Sequence, residues 1–238
     1  MDEKDLSGEK KWLYARVGEK AIASLKKNHF DAYFATSRHE AVETILKMIP
    51  ENSVIGFADS VTLDQVGLFD QLPSRKPAEI LQPLLRDEKG DRILSLQEMF
   101  EMCRRVLTSD VYICGANAVT LDGKLVSTDG AGNRVAPMIF GPTRTIIVVG
   151  ANKIVSDVEA ARERIRKICA PMNVKRHIEK HNTGALYGEL PCAKTGFCAD
   201  CKHPMRICAA TVVLECAGLG ARIGSEKKVV IVGEDLGI

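Results

Sequence analysis

The amino-acid sequence predicts an α/β fold, in which a mainly parallel β-sheet is flanked by helices. Six short segments rich in β-branched and apolar residues recur along the chain, and helical stretches lie between them. Such alternation is typical of strand–helix–strand units, whose parallel strands are buried on both faces. A length of 238 residues suits one domain of this kind rather than two. We therefore treat residues 1–238 as a single domain.

Strands and helix starts can be placed along the chain. The predicted strands cover residues 31–35, 53–57, 111–115, 145–150, 209–214 and 229–233. Between them, three Ser-x-x-Glu patterns mark helix starts, because the hydroxyl and the carboxylate can satisfy free backbone N–H groups of a first helical turn. These patterns are Ser37 with Glu40, Ser95 with Glu98 and Ser156 with Glu159.

One helix and one hairpin are defined by their local pattern. Apolar residues between 154 and 168 recur at alternating steps of four and three, as on one buried helix face. Pro171 is expected to end this helix, because proline lacks a backbone N–H. Asp122 and Gly123 lie between two apolar runs and predict a tight hairpin. Residues 176–208 have little periodicity and predict an excursion from the sheet.

Charge and composition exclude several classes of partner. The formal net charge is +2, too small to indicate the concentrated basic surface that binds nucleic acid. Residues 1–20 are rich in Lys, Glu and Asp and lack the apolar core of an export signal. No apolar run is long enough to span a membrane. We therefore expect a cytoplasmic protein with no nucleic-acid or membrane partner.

The first candidate ligand site lies in residues 56–63, Gly-Phe-Ala-Asp-Ser-Val-Thr-Leu, between a predicted strand and a predicted helix. Backbone N–H groups at such a turn, together with hydroxyls, suit a phosphate or carboxylate at the edge of a parallel sheet. The predicted ligand-binding residues are Gly56, Asp59, Ser60 and Thr62. The alternative is an ordinary strand-to-helix turn in which Ser60 caps the helix.

A second candidate site lies in residues 115–136, which are crowded with small and polar residues after a predicted strand. Three glycines between 123 and 132 allow close backbone approach, and the polar side chains can bind hydroxyls or an anion. The predicted contacts are Asn117, Asp129, Gly130, Asn133 and Arg134. The alternative is a Gly-rich hairpin and loop with solvated polar groups.

A third strand end carries Asn152 and Lys153, which can close the same crevice. A lysine beside a turn is more often solvated, so this assignment depends on the two segments before it. Open α/β sheets bind ligands beyond the carboxyl ends of their strands, and we therefore expect one shared crevice. Its candidate bases are Asp59, Asp122 and Asp129.

Two other patterns carry no assigned site. Residues 218–224 contain three glycines but one residue too many for a dinucleotide fingerprint, and they precede a strand. No nicotinamide cofactor is therefore expected. His177 and His181 are four residues apart but lack the acidic residue of a zinc-protease helix, so we expect both on a solvated surface.

Four of the eight cysteines form a compact cluster, Cys192-x5-Cys198-x2-Cys201-x6-Cys208. Disulfides are disfavoured in a reducing compartment, and thiolates are soft ligands that select zinc or iron–sulfur clusters. The spacing fits both centres, and His203 can replace one cysteine in a zinc site. The alternatives are a redox-active Cys-x-x-Cys pair and four free thiols. The cysteines at 103, 114, 169 and 216 are expected in the core.

Four motifs occur in order along the chain. They are residues 56–63, Gly-Ala-Asn-Ala-Val-Thr-Leu-Asp-Gly at 115–123, Asp-Gly-Ala-Gly-Asn-Arg-Val-Ala at 129–136 and Val-Gly-Ala-Asn-Lys-Ile-Val at 149–155. Together they resemble the LUD-domain (lactate utilisation, DUF162) family. The resemblance implies an α/β fold like that of ribose-5-phosphate isomerase, glucosamine-6-phosphate deaminase and CoA transferases. It also implies a link with lactate utilisation, in which LUD proteins act with iron–sulfur oxidoreductase subunits.

One leading hypothesis and two alternatives follow. The leading hypothesis is a subunit in the oxidation of lactate or a related organic acid, with a small anionic metabolite at the strand ends and a metal centre nearby. The redox context of the resemblance favours iron–sulfur over zinc at the four cysteines. The first alternative is an isomerase or transferase for a sugar phosphate or CoA ester. The second is a non-enzymatic, metal-stabilised assembly or sensing subunit.

Overall fold

A computed structural model describes residues 3–238 and contains two β-sheets. The larger sheet has six strands: β1 (Asp31–Ala35), β2 (Val54–Phe57), β3 (Glu79–Leu81), β4 (Val111–Gly115), β7 (Arg144–Gly150) and β10 (Glu226–Val232). They are all parallel and lie in the order β1-β10-β7-β4-β2-β3. The predicted α/β fold with a mainly parallel sheet is confirmed.

The smaller sheet has four strands: β5 (Ala118–Thr120), β6 (Leu125–Asp129), β8 (Ile154–Val155) and β9 (Ala210–Leu214). Their order is β8-β5-β6-β9, and β6 is antiparallel to both of its neighbours. The turn between β5 and β6 contains Asp122 and Gly123, which confirms the predicted hairpin. Gly123 has φ +86°, and its Cα lies against the backbone of Ser24, so the hairpin packs on the first helix.

Within residues 3–238, ten α-helices connect and cover the strands. They are α1 (Ser7–Lys27), α2 (Arg38–Met48), α3 (Val61–Val66), α4 (Leu68–Gln71), α5 (Leu96–Val106), α6 (Val135–Ile139), α7 (Val158–Arg164), α8 (Ala170–Lys180), α9 (Gly184–Tyr187) and α10 (Pro191–Thr195). Short 3₁₀ turns lie at Leu72–Arg75, Ala151–Lys153 and Leu219–Arg222. None of the helices within residues 3–238 has the length and apolar character needed to cross a membrane.

The parallel sheet separates two apolar cores. Along β4, Tyr112 and Cys114 point into the core that α1 covers, whereas Val111 and Ile113 point into the core beneath α2, α3 and α4. Side chains of a strand alternate between its two faces, so a strand buried on both sides must be apolar throughout. All five residues of β4 are buried. This double burial explains why the strand was visible in the sequence as a continuous apolar run.

Five of the six predicted strands lie within one or two residues of observed strands, whereas the strand predicted at 229–233 begins at Glu226 and β3 and β8 were not predicted. The sequence also assigned residues 209–214 to the parallel sheet. The corresponding strand β9 instead pairs with β6 in the smaller sheet and runs antiparallel to it. The sequence pattern of a strand indicates how the strand is buried, but it does not indicate which strand it pairs with. Tertiary packing decides the pairing. The capping box at Ser95 and Glu98 is formed in full. The cap of α7, in contrast, is Asp157, whose side chain accepts from the Ala160 N–H, and not Ser156.

The prediction that Pro171 ends a helix was wrong. A π-helical turn at Ile165–Cys169 joins α7 to α8, and Pro171 lies in the first turn of α8. The missing N–H of proline costs little at that position, because the wide π turn has already displaced the regular hydrogen-bond ladder. The continuation is important for the site, since α8 carries Arg176 and His177 across the strand ends.

Candidate functional site

A cavity of about 260 Å³ lies beyond the carboxyl ends of β2, β4 and β7, which are neighbours in the parallel sheet. Residues after each strand form its floor: Asp59 to Thr62 after β2, Gly115 to Asn117 after β4, and Lys153 after β7. Helix α8 and the loop 128–134 that follows β6 form its walls. This is the crevice in which open α/β sheets bind ligands.

Lys153 is the most constrained cation in the cavity. It is 3% exposed, and its Nζ donates a hydrogen bond to Thr62 Oγ1 at 2.9 Å. No carboxylate within residues 3–238 forms an ion pair with it. Burial, with the positive charges of Arg164 and Arg134, lowers the pKa of Lys153 from 10.5 to about 7. Lys153 therefore loses its proton much more readily than a solvated lysine does.

The turn after β2 supplies hydroxyls to the same region. Ser60 stands at the N-cap position of α3, but its side chain makes no capping hydrogen bond. Helix α3 has only six residues, so its dipole adds little. Gly115 lies opposite, and a Cβ there would be 3.0 Å from Ser60 Oγ. The absence of a side chain at Gly115 therefore leaves the Ser60 hydroxyl room beside the floor of the cavity.

The loop after β6 is held by Asp129. Its Oδ1 accepts from the Gly130 N–H at 2.8 Å, and its Oδ2 accepts from the Arg134 N–H at 2.8 Å. Arg134 in turn donates from Nη2 to the Thr128 carbonyl at 2.6 Å. Asn117 Oδ1 accepts the Thr128 N–H at 2.8 Å and ties the loop to the end of β4. Asp129 thus organises the loop, and its carboxylate is engaged by the backbone.

Helix α8 adds charged residues that the sequence did not single out. Arg176 donates from Nη2 to Asp59 Oδ1 at 2.7 Å and from Nη1 to Asp59 Oδ2 at 3.0 Å. Burial alone would raise the pKa of Asp59, but the hydrogen bonds and charge of Arg176 outweigh it and lower that pKa below 3.8. Arg86 and Arg92 also line the cavity, from the loop before α5. Neither their spacing nor any local motif distinguishes these arginines from solvated ones.

His177 lines the cavity and His181 lines a neighbouring hollow, so the expectation that both lie on a solvated surface was wrong. Both rings are partly buried, their Nδ1 atoms lie 2.9 Å apart, and the ring planes meet at 83°. Burial is the main reason that the pKa of each histidine is lowered to about 4, with Arg86 and Arg176 adding to it. Both imidazoles are therefore neutral at pH 7. Their ligand atoms and those of Asp59 all lie within 4.8 Å of one another.

Comparison with known proteins assigns the family. The sequence matches the LUD domain family over residues 18–232. This chain belongs to the LUD-domain family. The crystal structure of a DUF162 family protein from Deinococcus radiodurans matches 92% of this chain and 96% of its own, at 14% sequence identity and a TM-score of 0.46. No curated protein matched significantly.

Nine of the predicted ligand residues of this LUD domain line the cavity. They are Asp59, Ser60, Thr62, Asn117, Asp129, Gly130, Asn133, Arg134 and Lys153. Asn152 lies outside it, and its Oδ1 accepts the Leu236 N–H at 3.1 Å. Gly56 also lies outside, because it packs against α5, where a Cβ would be 2.8 Å from Val106. Asp122 is in the hairpin turn, where it accepts from Thr120 and pairs with Lys124.

The four clustered cysteines of this LUD domain surround a second, small cavity of about 20 Å³. Ala170 and Ile207 line both cavities, so a single wall separates the cysteines from the candidate ligand site. All four thiols are free. Burial, and then the neighbouring thiols of Cys208, Cys201 and Cys198, raise the pKa of Cys192.

The cysteine pocket fits a metal centre by its donor set. Four soft sulfur ligands converge on one cavity, and the guanidinium of Arg206 borders it. Arg206 donates from Nη1 to the Cys201 carbonyl, while its buried Nε has no hydrogen-bond partner. No three of the four sulfurs lie within 4.8 Å of one another in this arrangement of residues 3–238. The thiols are therefore more widely spaced than the ligands of a closed site for a single zinc ion.

The remaining cysteines differ in their surroundings. Cys114 and Cys169 are buried, as expected for core residues, and Cys103 is partly buried. Cys216 is exposed, which corrects the expectation that it lies in the core. It follows β9, where the chain leaves the smaller sheet, and therefore has no second layer to cover it.

Proposed function

We propose that this LUD-domain protein binds a small organic anion in the cavity at the strand ends and acts in the use of lactate or a related organic acid. Membership of the family supports the metabolic context. The single observation that carries the anion is Lys153, a buried lysine without a carboxylate partner.

A buried charge is costly unless it is paired, so an isolated lysine loses its proton instead. The lowered pKa of Lys153 expresses that cost. A bound carboxylate would offset the cost of the buried charge by supplying a negative partner. Lys153 would then keep its proton in the complex. The protein therefore gains binding energy at this position only from an anionic ligand.

The other charged groups of the cavity favour the same sign. Besides Lys153, three arginines and the Asp59–Arg176 pair line it. The three arginines are Arg86, Arg92 and Arg134. Of the two acidic side chains, Asp59 is engaged by Arg176, and Asp129 by backbone N–H groups and by Arg134 at 3.9 Å. An incoming anion thus meets an excess of positive charge and hydroxyl donors.

The size of the cavity supports a small ligand. Pockets for drug-sized ligands enclose about 300–1,000 Å³, and this one encloses about 260 Å³. A three-carbon hydroxy acid fits more readily than a CoA ester, whose nucleotide would extend out of this cavity, towards solvent or the neighbouring hollow of about 460 Å³. The volume of the cavity therefore supports the hydroxy acid more than the CoA-ester alternative.

The cysteine cluster supplies the second part of the proposal. Cys192, Cys198, Cys201 and Cys208 would hold an iron–sulfur cluster or zinc behind the Ala170–Ile207 wall. When bound, an iron–sulfur cluster accepts and passes single electrons, whereas zinc would hold the segment in place. Oxidation of a 2-hydroxy acid to a 2-oxo acid releases two electrons and two protons. Iron–sulfur oxidoreductase subunits are accordingly the proposed partners.

Thermal-shift titration tests the anion. L-lactate, sulfate, phosphate and a CoA ester should be titrated separately, and at least one small anion should raise the Tm of the protein. Lys153→Met should abolish that increase, and Ser60→Ala with Thr62→Val should reduce it. Lys227→Met is the matched control: Lys227 is also buried and has a lowered pKa, but it lies at the opposite end of the sheet. An unchanged ligand-induced shift in Lys153→Met would remove the basis of the proposal.

A further inference from the structure

We infer that Asp59, His177 and His181 form a binding site for a divalent transition-metal ion, separate from the cysteine cluster. These three residues are the one set of three or more metal-ligating side chains within residues 3–238 whose ligand atoms all lie within 4.8 Å of one another. The inference does not depend on the anionic ligand or on a metal at the cysteines.

The two histidines have the spacing and orientation of a metal-binding pair. His177 is in the last turn of α8 and His181 is its C-terminal cap, so residues four apart lie on the same side of the helix. Their Nδ1 atoms are 2.9 Å apart. In a tetrahedral site with Zn–N bonds of about 2.0–2.1 Å, two ligand nitrogens are roughly 3.3 Å apart. An opening of a few tenths of an ångström would therefore admit an ion between the rings.

Asp59 completes the set from the other side of the cavity. Its carboxylate offers about four lone-pair positions, and Arg176 uses two of them. At least one oxygen can thus bind an ion while Arg176 continues to hold the group, as hydrogen-bonded partners of metal-ligating carboxylates do. The His177 ring is held by an edge contact with Tyr187, whose centroid is 5.7 Å away. Two of the three ligands are therefore oriented before any ion arrives.

Charge and openness indicate what kind of ion would bind. Two neutral imidazoles and one carboxylate suit zinc, iron(II), cobalt or nickel rather than calcium or magnesium. Arg86 and Arg176 repel a cation here, so the site should bind more weakly than four thiolates. Asp59 and His177 face the ligand cavity, while Asp59 and His181 face a neighbouring hollow of about 460 Å³. Three protein ligands next to open space leave coordination positions for water or a substrate.

Cobalt(II) titration tests the site, because its spectrum distinguishes the two ligand types. Co²⁺ is titrated into the protein whether or not its cysteines already hold a metal, because only binding at thiolates gives the intense near-ultraviolet band. We expect one further equivalent of Co²⁺ with visible bands but without the intense near-ultraviolet charge-transfer band of cobalt–thiolate bonds. His177→Gln and His181→Gln should each weaken this binding at least tenfold. His39→Gln, at an exposed histidine on α2, should leave it unchanged.

Crystals soaked in Co²⁺ provide the second measurement, which does not depend on the variants folding well. An anomalous difference peak bounded by Asp59, His177 and His181 supports the inference. The inference is overturned if no cobalt binds outside the cysteines. It is also overturned if such cobalt still binds in both histidine variants and its anomalous peak lies elsewhere.

Discussion

Arg176 and Asp59, which are 117 positions apart in the chain, form a two-point ion pair across the strand ends, with N–O distances of 2.7 and 3.0 Å. The pair joins α8 to the turn after β2 and is mostly shielded from solvent. Its position couples the stability of the domain to the geometry of the cavity.

Replacing Arg176 should therefore destabilise the protein. Arg176→Met leaves a largely buried carboxylate unpaired, and we expect a loss of roughly 2–4 kcal/mol in the free energy of unfolding. Because the pKa of Asp59 is lowered from 3.8, this difference should be full at neutral pH and disappear as the pH falls below 3.8. Urea unfolding at several pH values measures it. Arg16→Met, which breaks an exposed pair with Glu19, serves as the control and should have little effect.

The double variant Arg176→Met with Asp59→Asn provides a further check. If the two residues interact directly, the double variant should be destabilised by less than the sum of the two single variants. Strict additivity would contradict the direct ion pair.

Replacing Lys153 should have the opposite effect on stability. The pKa of Lys153 is about 7 in the folded protein and 10.5 in the unfolded chain. The lysine therefore destabilises the fold at every pH at which it is charged in the folded protein. The loss in the free energy of unfolding is complete below pH 7, where the lysine is charged in both states. The loss decreases between about pH 7 and 10.5, because the folded protein no longer holds the proton there and so carries no buried charge. Lys153→Met should be more stable than the wild type at pH 6 by roughly 2–4 kcal/mol. The full pKa change corresponds to ~5 kcal/mol. The expected gain is smaller, because Lys153→Met also loses the hydrogen bond to Thr62.

Unfolding experiments at pH 6 and at about pH 10 measure the difference. The advantage of Lys153→Met should shrink at the higher pH. A variant that is less stable than the wild type at pH 6 would show that Lys153 is not an uncompensated buried cation.

Anion affinity should depend on pH in a defined direction. An anion binds the protonated lysine, so affinity should be constant below about pH 7 and fall by up to tenfold per pH unit above it. The charges of L-lactate and of sulfate do not change between about pH 6 and 9, so a change in affinity over this range would come from the protein. Calorimetry in two buffers of different ionisation enthalpy should detect proton uptake at pH 8. Binding without proton uptake, and with the same affinity at pH 6 and 9, would rule out Lys153 as the anion's partner.

Loss of the cysteine centre should loosen the segment that carries it. Cys198→Ser with Cys201→Ser removes two of four ligands, and we expect lower stability and faster proteolysis within residues 190–208. Cys216→Ser is the control, because Cys216 is exposed and outside the cysteine pocket. Limited proteolysis with mass spectrometry locates the cleavage.

Anaerobic purification identifies the centre. Brown protein with iron and acid-labile sulfide indicates an iron–sulfur cluster, and colourless protein with stoichiometric zinc indicates the alternative. Metal-free protein with four titratable thiols in this segment would contradict both.

The sequence by itself determined the features that depend on local pattern. Residues 111–115 were found at their observed ends, because a strand buried on both faces needs a continuous apolar run. Residues 31–35 were also found at their observed ends, although this edge strand leaves Asp31 and Tyr33 exposed. The strand ends of a parallel sheet lie on one edge, so the motifs after β2, β4 and β7 could be expected in one crevice. The spacing of the four cysteines between 192 and 208 is also a local pattern. It predicted that they lie together, and the four side chains border one pocket.

Only the tertiary structure decided which of these polar residues share a charge environment. Lys153 resembles any solvated lysine in the sequence, and its pKa changes because the loop after β6, the turn after β2 and the C-terminal residues bury it. Arg176, His177 and His181 reach Asp59 because a π turn lets the helix continue through Pro171. Burial and charge pairing depend on contacts between residues far apart in the chain, and periodicity within a short window carries no information about them.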